Sequence, residues 1–244
     1  RHRRGTVPTD AGTMLITYYR QYQAQRNTIL GEIESLRGLR SGAIHVATGE
    51  GLMYDLINGP LLTFRTDYPD VAVSITAMSA SEILSCISAD EAEIGLLLYH
   101  AQTNPHIVVR GVNRQPLEAI VPPGHTLCNR ASVRLHELAG WPIALLRGSF
   151  GIRQVIGHAE YAAKVQLNPV LTTNSIACLI EFALAGQGIT ILPHFAVRNQ
   201  LRNGTLRAIP VVDNTLQNAE IQVVARTGRY LSPAASLFLT YCLR

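Results

Sequence analysis

The chain has 244 residues, of which 47% are apolar and 16% are charged. This composition is typical of a folded globular protein and excludes a disordered or coiled-coil chain. Its length suits one large or two smaller hydrophobic cores. No apolar run reaches the roughly 20 residues that a membrane-spanning helix needs. The four cysteines form no CxxC pair, which favours a reducing compartment, with the cytoplasm as the default.

The positive charge is concentrated at the start of the chain. The formal net charge is +4, and all of it comes from residues 1–40, because the rest of the chain is balanced. Arg1, Arg3 and Arg4 form either a solvated terminus or part of a surface that contacts phosphate. No apolar run follows these charges, so we do not expect a secretory signal.

The first predicted element is one long helix, which Thr9 caps and Gly38 ends. Its apolar residues recur at steps of three, four and seven, the pattern of a helix that packs against another helix. That helix could belong to the same globular body. Because the opposite face is polar, we expect dimerisation instead, through the seam residues Leu15, Tyr18, Tyr22, Ile29, Ile33 and Leu36.

After residue 41, short β-branched runs alternate with helical ones. The pattern predicts three strands and two helices in the first half, with strands at 43–48, 71–76 and 94–99 and helices at 52–66 and 82–88. Such alternation implies parallel pairing with right-handed crossovers.

A second series of the same kind begins at residue 117. Its predicted strands lie at 117–121, 142–146, 168–173 and 189–192, with helices at 133–138, from 150 onwards and at 176–185. A last strand at 221–226 and a helix at 233–243 close the chain. The sequence therefore predicts two α/β units of about 100 residues each.

The segment FALAGQGITILP contains two glycines that resemble part of a nucleotide-binding loop. In a dinucleotide fingerprint, however, the glycines follow a strand and open a helix. Here the helix comes first and the strand second, and a third glycine is missing. Gly186 and Gly188 are therefore predicted to form a corner between helix and strand, and no cofactor is expected.

Four polar stretches lie where a predicted strand ends and a helix begins, at 48–51, 79–81, 148–151 and 172–175. Taken alone, each is best explained by ordinary helix capping, and Ser79 with Glu82 matches a capping box. In open α/β sheets, however, ligands bind outside the carboxyl ends of the strands. Four such stretches in two units favour a binding crevice.

Catalytic and metal-binding patterns are not found in the sequence. The eight histidines show no pair at i, i+4, so no metal site is expected. The stretch RGSFG differs from the GxSxG nucleophile elbow, because Ser149 directly follows Gly148. We therefore expect a binding protein and not an enzyme.

Several of these stretches together resemble the LysR-type transcriptional regulators, a bacterial family. RHRRGTVPTDAG resembles the end of the family's winged helix-turn-helix, although Pro8 replaces the usual leucine, and the helix after it is similar to the family's dimerising linker. LLTFRTDYPDVAVSI resembles the signature of helix, Tyr68-Pro69 and strand. EAEIGLLL is similar to the strand that usually begins with Asp, and ALAGQGITILP matches the family's corner.

The resemblance implies two Rossmann-like subdomains of the type 2 periplasmic-binding-protein fold after a long linker helix. Residues 1–8 would be a remnant of the DNA-binding wing, with Arg1, Arg3 and Arg4, and residues 9–40 the linker. Subdomain I would comprise 41–113 and 222–244, and subdomain II 114–221. The chain would cross between the two subdomains near Val112 and again near Ile221.

The resemblance also implies inducer-dependent control of transcription. A small molecule would bind between the subdomains of a homodimer or homotetramer, and DNA would contact helices outside this chain. The implied effector contacts are Thr48, Gly49, Glu50, Ser79, Ser81, Ser149, Phe150, Thr173 and Asn174. Many family members bind small anions, but Glu50 disfavours a carboxylate ligand, so a cationic, amphipathic or neutral effector is as plausible. A solute-binding protein of a transporter is the alternative with the same fold.

Overall fold

A long N-terminal helix precedes the globular body of the protein. The computed structural model describes residues 8–35, 42–98 and 104–243. Helix α1 spans Asp10–Ser35, and Thr9 caps it by accepting a hydrogen bond from the Gly12 amide at 3.1 Å. The predicted linker helix is thus confirmed as far as Ser35. Arg1, Arg3, Arg4 and Leu36 lie outside the described residues.

The first sheet, in the described residues, has five strands in the order β2-β1-β3-β10-β4. These strands are β1 (Gly42–Thr48), β2 (Val71–Ala77), β3 (Ile94–Leu98), β4 (Ile107–Arg114) and β10 (Glu220–Arg226). The helices that accompany this sheet are α2 (Glu50–Leu56), α3 (Leu62–Asp67), α4 (Ala80–Ser88) and α10 (Pro233–Cys242). This sheet and its helices are called lobe I below.

The predicted helix over residues 52–66 is interrupted in lobe I. A π-helical turn, Ile57–Leu61, joins α2 to α3 and contains Pro60. Proline lacks the amide hydrogen that a regular α-helix would use, which explains the local change in hydrogen bonding. Beyond the turn, Phe64 is fully buried and packs edge-on against Phe238 of α10, with ring centroids 5.0 Å apart.

The second sheet also has five strands in the part of the chain that the structure describes, in the order β7-β6-β8-β5-β9. They are β5 (Leu117–Val121), β6 (Ile143–Leu146), β7 (Leu171–Thr173), β8 (Ile189–Pro193) and β9 (Arg207–Pro210). The accompanying helices are α5 (Leu135–Leu138), α6 (Gly151–Ala163), α7 (Ile176–Leu184), α8 (Arg198–Arg202) and α9 (Asn214–Gln217). This second sheet with its helices is called lobe II.

Strand pairing is only partly as predicted. Strand β1 pairs in parallel with β2 and β3, and β6 with β7 and β8. In contrast, β10 is antiparallel to β3 and β4, and β5 is antiparallel to β8 and β9. Because β5 and β10 each enter their sheet from the other lobe, no helical crossover within the same sheet fixes their direction.

The chain passes between the lobes twice, and the two crossing segments lie side by side. The first joins β4 to β5 at residues 115–116, and the second joins α9 to β10 at residues 218–219. The Gln115 amide donates to the Ala219 carbonyl at 2.7 Å, and Arg114 Nε donates to the Gln217 carbonyl at 2.8 Å. The subdomain boundaries given above remain a prediction, since sheet membership alone does not define units that move together.

The corner predicted at Gly186 and Gly188 is confirmed. Helix α7 ends at Leu184 and β8 begins at Ile189. Gly186 has a φ of +67°, in the left-handed region that glycine adopts without a steric cost. At Gly188, a Cβ atom would lie 2.1 Å from the Pro142 carbonyl oxygen. The two glycines therefore allow a turn and a close approach to β6.

Candidate functional site

A cavity lies between the two lobes at the carboxyl ends of the strands. The space between the lining residues is about 470 Å³ when the open solvent at its mouth is included. It is lined by residues of both lobes, namely Gly49, Glu50, Gly51, Leu52, Met78, Ser79, Ala80, Ile83, Leu97, Leu98, Leu146, Phe150, Gly151, Ile152 and Phe195. Four of the nine residues expected at the effector site are therefore brought together here: Gly49, Glu50, Ser79 and Phe150.

The connection from β1 to α2 forms one side of the cavity. Thr48, the last residue of β1, is fully buried and does not line the cavity. Its hydroxyl donates to the Gly49 carbonyl at 3.3 Å, and its own carbonyl accepts from the Met78 amide at 2.9 Å. Thr48 thus ties the end of β1 to the segment after β2, while Gly49 and exposed Glu50 face the space.

The start of α4 forms the next side, and here the predicted capping box is confirmed. The Ser79 amide donates to Glu82 Oε2 at 2.8 Å, and the Glu82 amide donates to Ser79 Oγ. The Ser79 hydroxyl also donates to Glu82 Oε2 at 2.6 Å. These hydrogen bonds lower the pKa of the Glu82 carboxyl, so it stays ionised at neutral pH. Ser81 is exposed and is not among the lining residues.

In lobe II, the start of α6 faces the cavity. Phe150 is the N-cap residue of α6 and makes no side-chain capping hydrogen bond. Its half-buried ring lines the cavity, whereas Ser149 is exposed and does not. The two residues follow β6, whose last residue, Leu146, also lines the space.

The connection from β7 to α7 lies outside the cavity lining. Thr173 Oγ1 accepts a hydrogen bond from the Ser175 amide at 3.1 Å. Ser175 in turn caps α7 by accepting from the Cys178 amide at 3.3 Å. Asn174 is exposed. In this arrangement, Thr173 shapes the start of α7 and contributes no surface to the cavity.

The lobes touch around the cavity, and two glycines make this contact close. A Cβ atom on Gly151 would lie 2.7 Å from the Leu98 carbonyl oxygen, and one on Gly51 would lie 2.9 Å from Ile176 Cδ1. A salt bridge of 2.8 Å also joins Asp55 of α2 to Arg198 of α8. A larger side chain at Gly151 would meet a backbone atom and push the lobes apart, whereas one at Gly51 would require the end of the Ile176 side chain to shift.

Sequence reasoning missed the apolar majority of the lining. Leu97 and Leu98 end β3, and Phe195 follows β8 in a short 3₁₀ turn. The predicted contacts were mainly polar residues after the strands, because such residues bind most small polar ligands. The lining residues at the ends of the predicted strands 94–99 and 142–146 could have been predicted. Their last apolar side chains lie at the same carboxyl edge of the sheets as the polar stretches.

The predicted dimerisation seam is located on α1. Leu15, Tyr18, Tyr22, Ile29 and Ile33 are all exposed in this chain. No contact in the structure tests whether they bind a second copy, so dimerisation remains a prediction.

Two mixed α/β lobes, joined by two adjacent crossing segments around a cavity, define the class of two-lobed binding proteins with the type 2 periplasmic-binding-protein fold. Within that class, residues 37–244 match the family model described as the LysR substrate binding domain. The chain belongs to this family, and it is the effector-sensing part of a LysR-type transcriptional regulator.

Known proteins from several bacteria resemble the chain. The uncharacterized HTH-type transcriptional regulator YnfL of Escherichia coli K12 is 26% identical over 248 residues, which cover 100% of this chain and 82% of YnfL. The OxyR C206 mutant of Corynebacterium glutamicum matches in structure with a TM-score of 0.76 and 16% identity, covering 100% of this chain and 76% of that one.

A third similar protein has been solved with a small molecule bound. The CcmR regulatory domain of Synechocystis PCC6803, in complex with 2-PG, matches with a TM-score of 0.71 and 16% identity, covering 83% of this chain and 96% of that one. At such identities the two structures show the shared fold. The related sequences are those of transcriptional regulators, which favours a regulator over the transporter protein. Among the described helices, none is long and apolar enough to cross a membrane.

Proposed function

We propose that a small molecule binds in the cavity between the lobes and that its binding changes how the regulator acts on its promoter. The observation that carries this proposal is the position of the cavity, which lies at the carboxyl ends of strands from both sheets. A ligand there contacts both lobes at once. It therefore favours the lobe arrangement in which both sets of contacts are made.

Within the cavity, Gly49, Glu50, Ser79 and Phe150 are proposed as direct effector contacts, since they line the space. The other five expected residues are proposed to shape the surrounding edges: Thr48, Ser81, Ser149, Thr173 and Asn174. For Thr48 and Thr173, the hydrogen bonds described above support this indirect role. No catalytic step is proposed for any of these residues.

The two crossing segments supply a route from the cavity to the rest of the regulator. They are short and hydrogen-bonded to each other, so a change in the lobe angle is concentrated at residues 115–116 and 218–219. We propose that α1 joins two chains of a homodimer or homotetramer. Arg1, Arg3 and Arg4 would lie near DNA phosphates beside a helix-turn-helix, and the regulator would act in the cytoplasm.

The experiment uses a variant that fills the cavity. Gly49 lines the space, and a Cβ atom on it would meet nothing within 4 Å, so Gly49→Phe introduces a ring without displacing neighbouring atoms at its base. Gly140→Phe is the matched control, because Gly140 also has open space at its Cβ position but does not line the cavity.

The full-length regulator is screened against a metabolite library by thermal shift, and each hit is tested for its effect on the footprint on promoter DNA. The proposal expects a hit that stabilises the wild type and Gly140→Phe, but not Gly49→Phe, and that alters the footprint. Stabilisation of all three proteins to the same extent places the ligand elsewhere and contradicts the proposal. Hits that leave the footprint unchanged contradict the regulatory part.

A further inference from the structure

The lining of the cavity is mainly apolar, and its charge is negative. Leucine, isoleucine, methionine, phenylalanine and alanine side chains form most of the surface. Among the described lining residues, Glu50 is the one with an ionisable side chain. Arg147, next to Leu146, is exposed and does not line the space, while Arg198 is paired with Asp55. An anionic ligand would find no cationic side chain among the lining residues that the structure describes.

The polar side chains of the lining accept hydrogen bonds and do not donate them to the cavity. The Ser79 hydroxyl donates to Glu82 Oε2 at 2.6 Å and is also hydrogen-bonded to the Glu82 amide and to Ser81 Oγ, so it has no hydrogen left to donate to a ligand. An ionised Glu50 carboxylate is an acceptor only. The polar part of a well-matched ligand must therefore be a hydrogen-bond donor.

Several backbone amides around the cavity are also occupied. The Gly49 amide donates to the Leu96 carbonyl at 3.0 Å, and the Met78 amide donates to the Thr48 carbonyl at 2.9 Å. The Ser79 amide donates to Glu82, whose carboxylate thus takes the position at the start of α4 that a ligand anion would otherwise occupy. The lowered pKa of Glu82 keeps that carboxylate charged at neutral pH.

Building on the proposed function of the cavity, we infer that the effector has an apolar body and a hydrogen-bond-donating head of positive charge, such as an organic amine, and that Glu50 contacts this head. The apolar body would pack against Leu97, Leu146, Phe150 and Phe195 of the two lobes. This arrangement would select against carboxylates, because burying an unpaired negative charge near Glu50 costs free energy.

The start of α6 in lobe II would instead favour an anionic ligand. The start of α6 carries no side-chain cap, so its first amides are available to an anion. The Leu98 carbonyl oxygen approaches Gly151 in that first turn, which places a partial negative charge beside these amides. The experiment therefore has to compare ligands that have nearly the same shape but differ in the charge of the head group.

Benzylamine, benzyl alcohol and benzoate differ mainly in the charge of the head. Each is titrated into the full-length regulator at low ionic strength, and binding is measured by calorimetry. We expect benzylamine to bind most tightly and benzoate most weakly. Glu50→Gln should weaken benzylamine binding by about twofold to fivefold, as for other solvent-accessible ion pairs, and should leave benzyl alcohol binding unchanged.

Two further variants separate the possible failures. Glu181→Gln removes an exposed carboxylate that does not line the cavity, and it should leave all three affinities unchanged. Gly49→Phe should abolish binding of every probe that occupies the cavity. If benzoate binds most tightly and Gly49→Phe abolishes that binding, the cavity binds ligands but the charge inference is overturned.

The remaining outcomes are equally decisive. An unchanged ratio of benzylamine to benzyl alcohol affinity in Glu50→Gln overturns the role of Glu50. If none of the three probes binds the wild type, the inference about the effector class is overturned, while the metabolite screen still decides the function of the cavity. If Gly49→Phe binds the probes as the wild type does, the probes bind elsewhere and the proposed function of the cavity fails together with the inference.

Discussion

Helix α1 and the two-lobed body treat apolar side chains in opposite ways. In the body, residues such as Phe64, Ile120 and Phe238 are 0% exposed and form a core together with neighbouring helices and strands. On α1, Leu15 is 68% exposed and Tyr18 is 70% exposed. Apolar side chains thus stabilise the body by being buried in it, whereas on α1 they are exposed to solvent.

This difference indicates where the two parts obtain their stability. The body buries its apolar surface internally, which contributes roughly 25 cal/mol per Å² of buried area. Helix α1 has a cap at Thr9 and contacts α10 of the body, yet its seam is uncovered. A long helix with an exposed apolar seam gains most from a second helix. Substitutions in the two parts should therefore affect different measurements.

The largest effect is expected from Phe64→Ala in the core of lobe I. The Phe64 ring is 5.0 Å from Phe238 and 5.4 Å from Tyr241, and its removal leaves a cavity between α3 and α10. We expect the free energy of unfolding to fall by about 3–5 kcal/mol. Denaturant titration measures the change. Leu62→Ala on the same helix is the control, because Leu62 is exposed and its truncation should cost little.

A similar but smaller loss is expected from Gly188→Ala in lobe II. The new methyl group would lie 2.1 Å from the Pro142 carbonyl oxygen, a backbone atom that cannot turn away. We expect a loss of about 3 kcal/mol, at the upper end for overpacking, measured by the same titration. Gly186→Ala meets no atom within 4 Å and should cost about 1–2 kcal/mol for its left-handed φ. Equal losses at both glycines would contradict the packing explanation.

The double variant Leu15→Ala, Ile29→Ala tests the other side of the comparison. Alanine preserves the helix, and both side chains are exposed, so unfolding of the monomer should change by less than about 0.5 kcal/mol. Self-association should weaken by tenfold or more, since each lost apolar contact contributes about 1.5 kcal/mol or more when buried. Sedimentation equilibrium measures this. Arg26→Ala on the polar face is the control.

Removal of residues 1–40 extends that test to the whole helix. The remaining body should stay folded and show reduced self-association. An unchanged oligomer mass, either in the truncated chain or in the double variant, would show that α1 is not the association surface.

The smallest effect concerns the exposed capping pair at the start of α4. The pKa of Glu82 is lowered from its ordinary value of 4.5 by hydrogen bonds from Ser79. Its contribution to stability is therefore present above about pH 4.5 and lost as the pH falls through the lower folded pKa. Glu82→Gln should be less stable than the wild type at about pH 7, and the difference should shrink below about pH 4.5 and vanish once the pH is below the lowered pKa of Glu82. Thermal unfolding across this range measures it.

Glu181→Gln provides the matched control for the pH series. Glu181 is also an exposed helical glutamate, but it follows the first turn of α7 and caps nothing in the structure. Its variant should keep the acid dependence of the wild type. A difference between wild type and Glu82→Gln that persists unchanged at low pH would show that the charge of Glu82 is not the cause.

The parts of the fold that sequence patterns predicted share a local cause. Buried strands such as β3 and β8 are short apolar runs, and α4 begins at a capping box encoded in four residues. The edge strands β4 and β9 were missed, because exposed side chains dilute their apolar pattern. Their positions depend on partners far away in the chain, which no short window contains.

The candidate site divides in the same way. Strand ends and helix starts are local features, and they correctly directed attention to Gly49, Glu50, Ser79 and Phe150. Thr173 and Asn174 have the same local pattern but lie outside the cavity lining, although β7 and β2, the strand that precedes Ser79, are both edge strands of their sheets. Local pattern thus identified the kind of residue, whereas the packing of the two lobes selected which residues line the cavity.

By itself, the sequence determined the long helix, most of the buried strands and helices, and the glycine corner, since hydrogen bonding and side-chain periodicity within a few residues specify them. Only the tertiary structure decided the antiparallel insertion of β5 and β10, the apolar cavity and the close contact of Gly151 with Leu98. These features arise where segments distant in the chain meet. Their free energy depends on the packing of the two lobes together and not on any single segment.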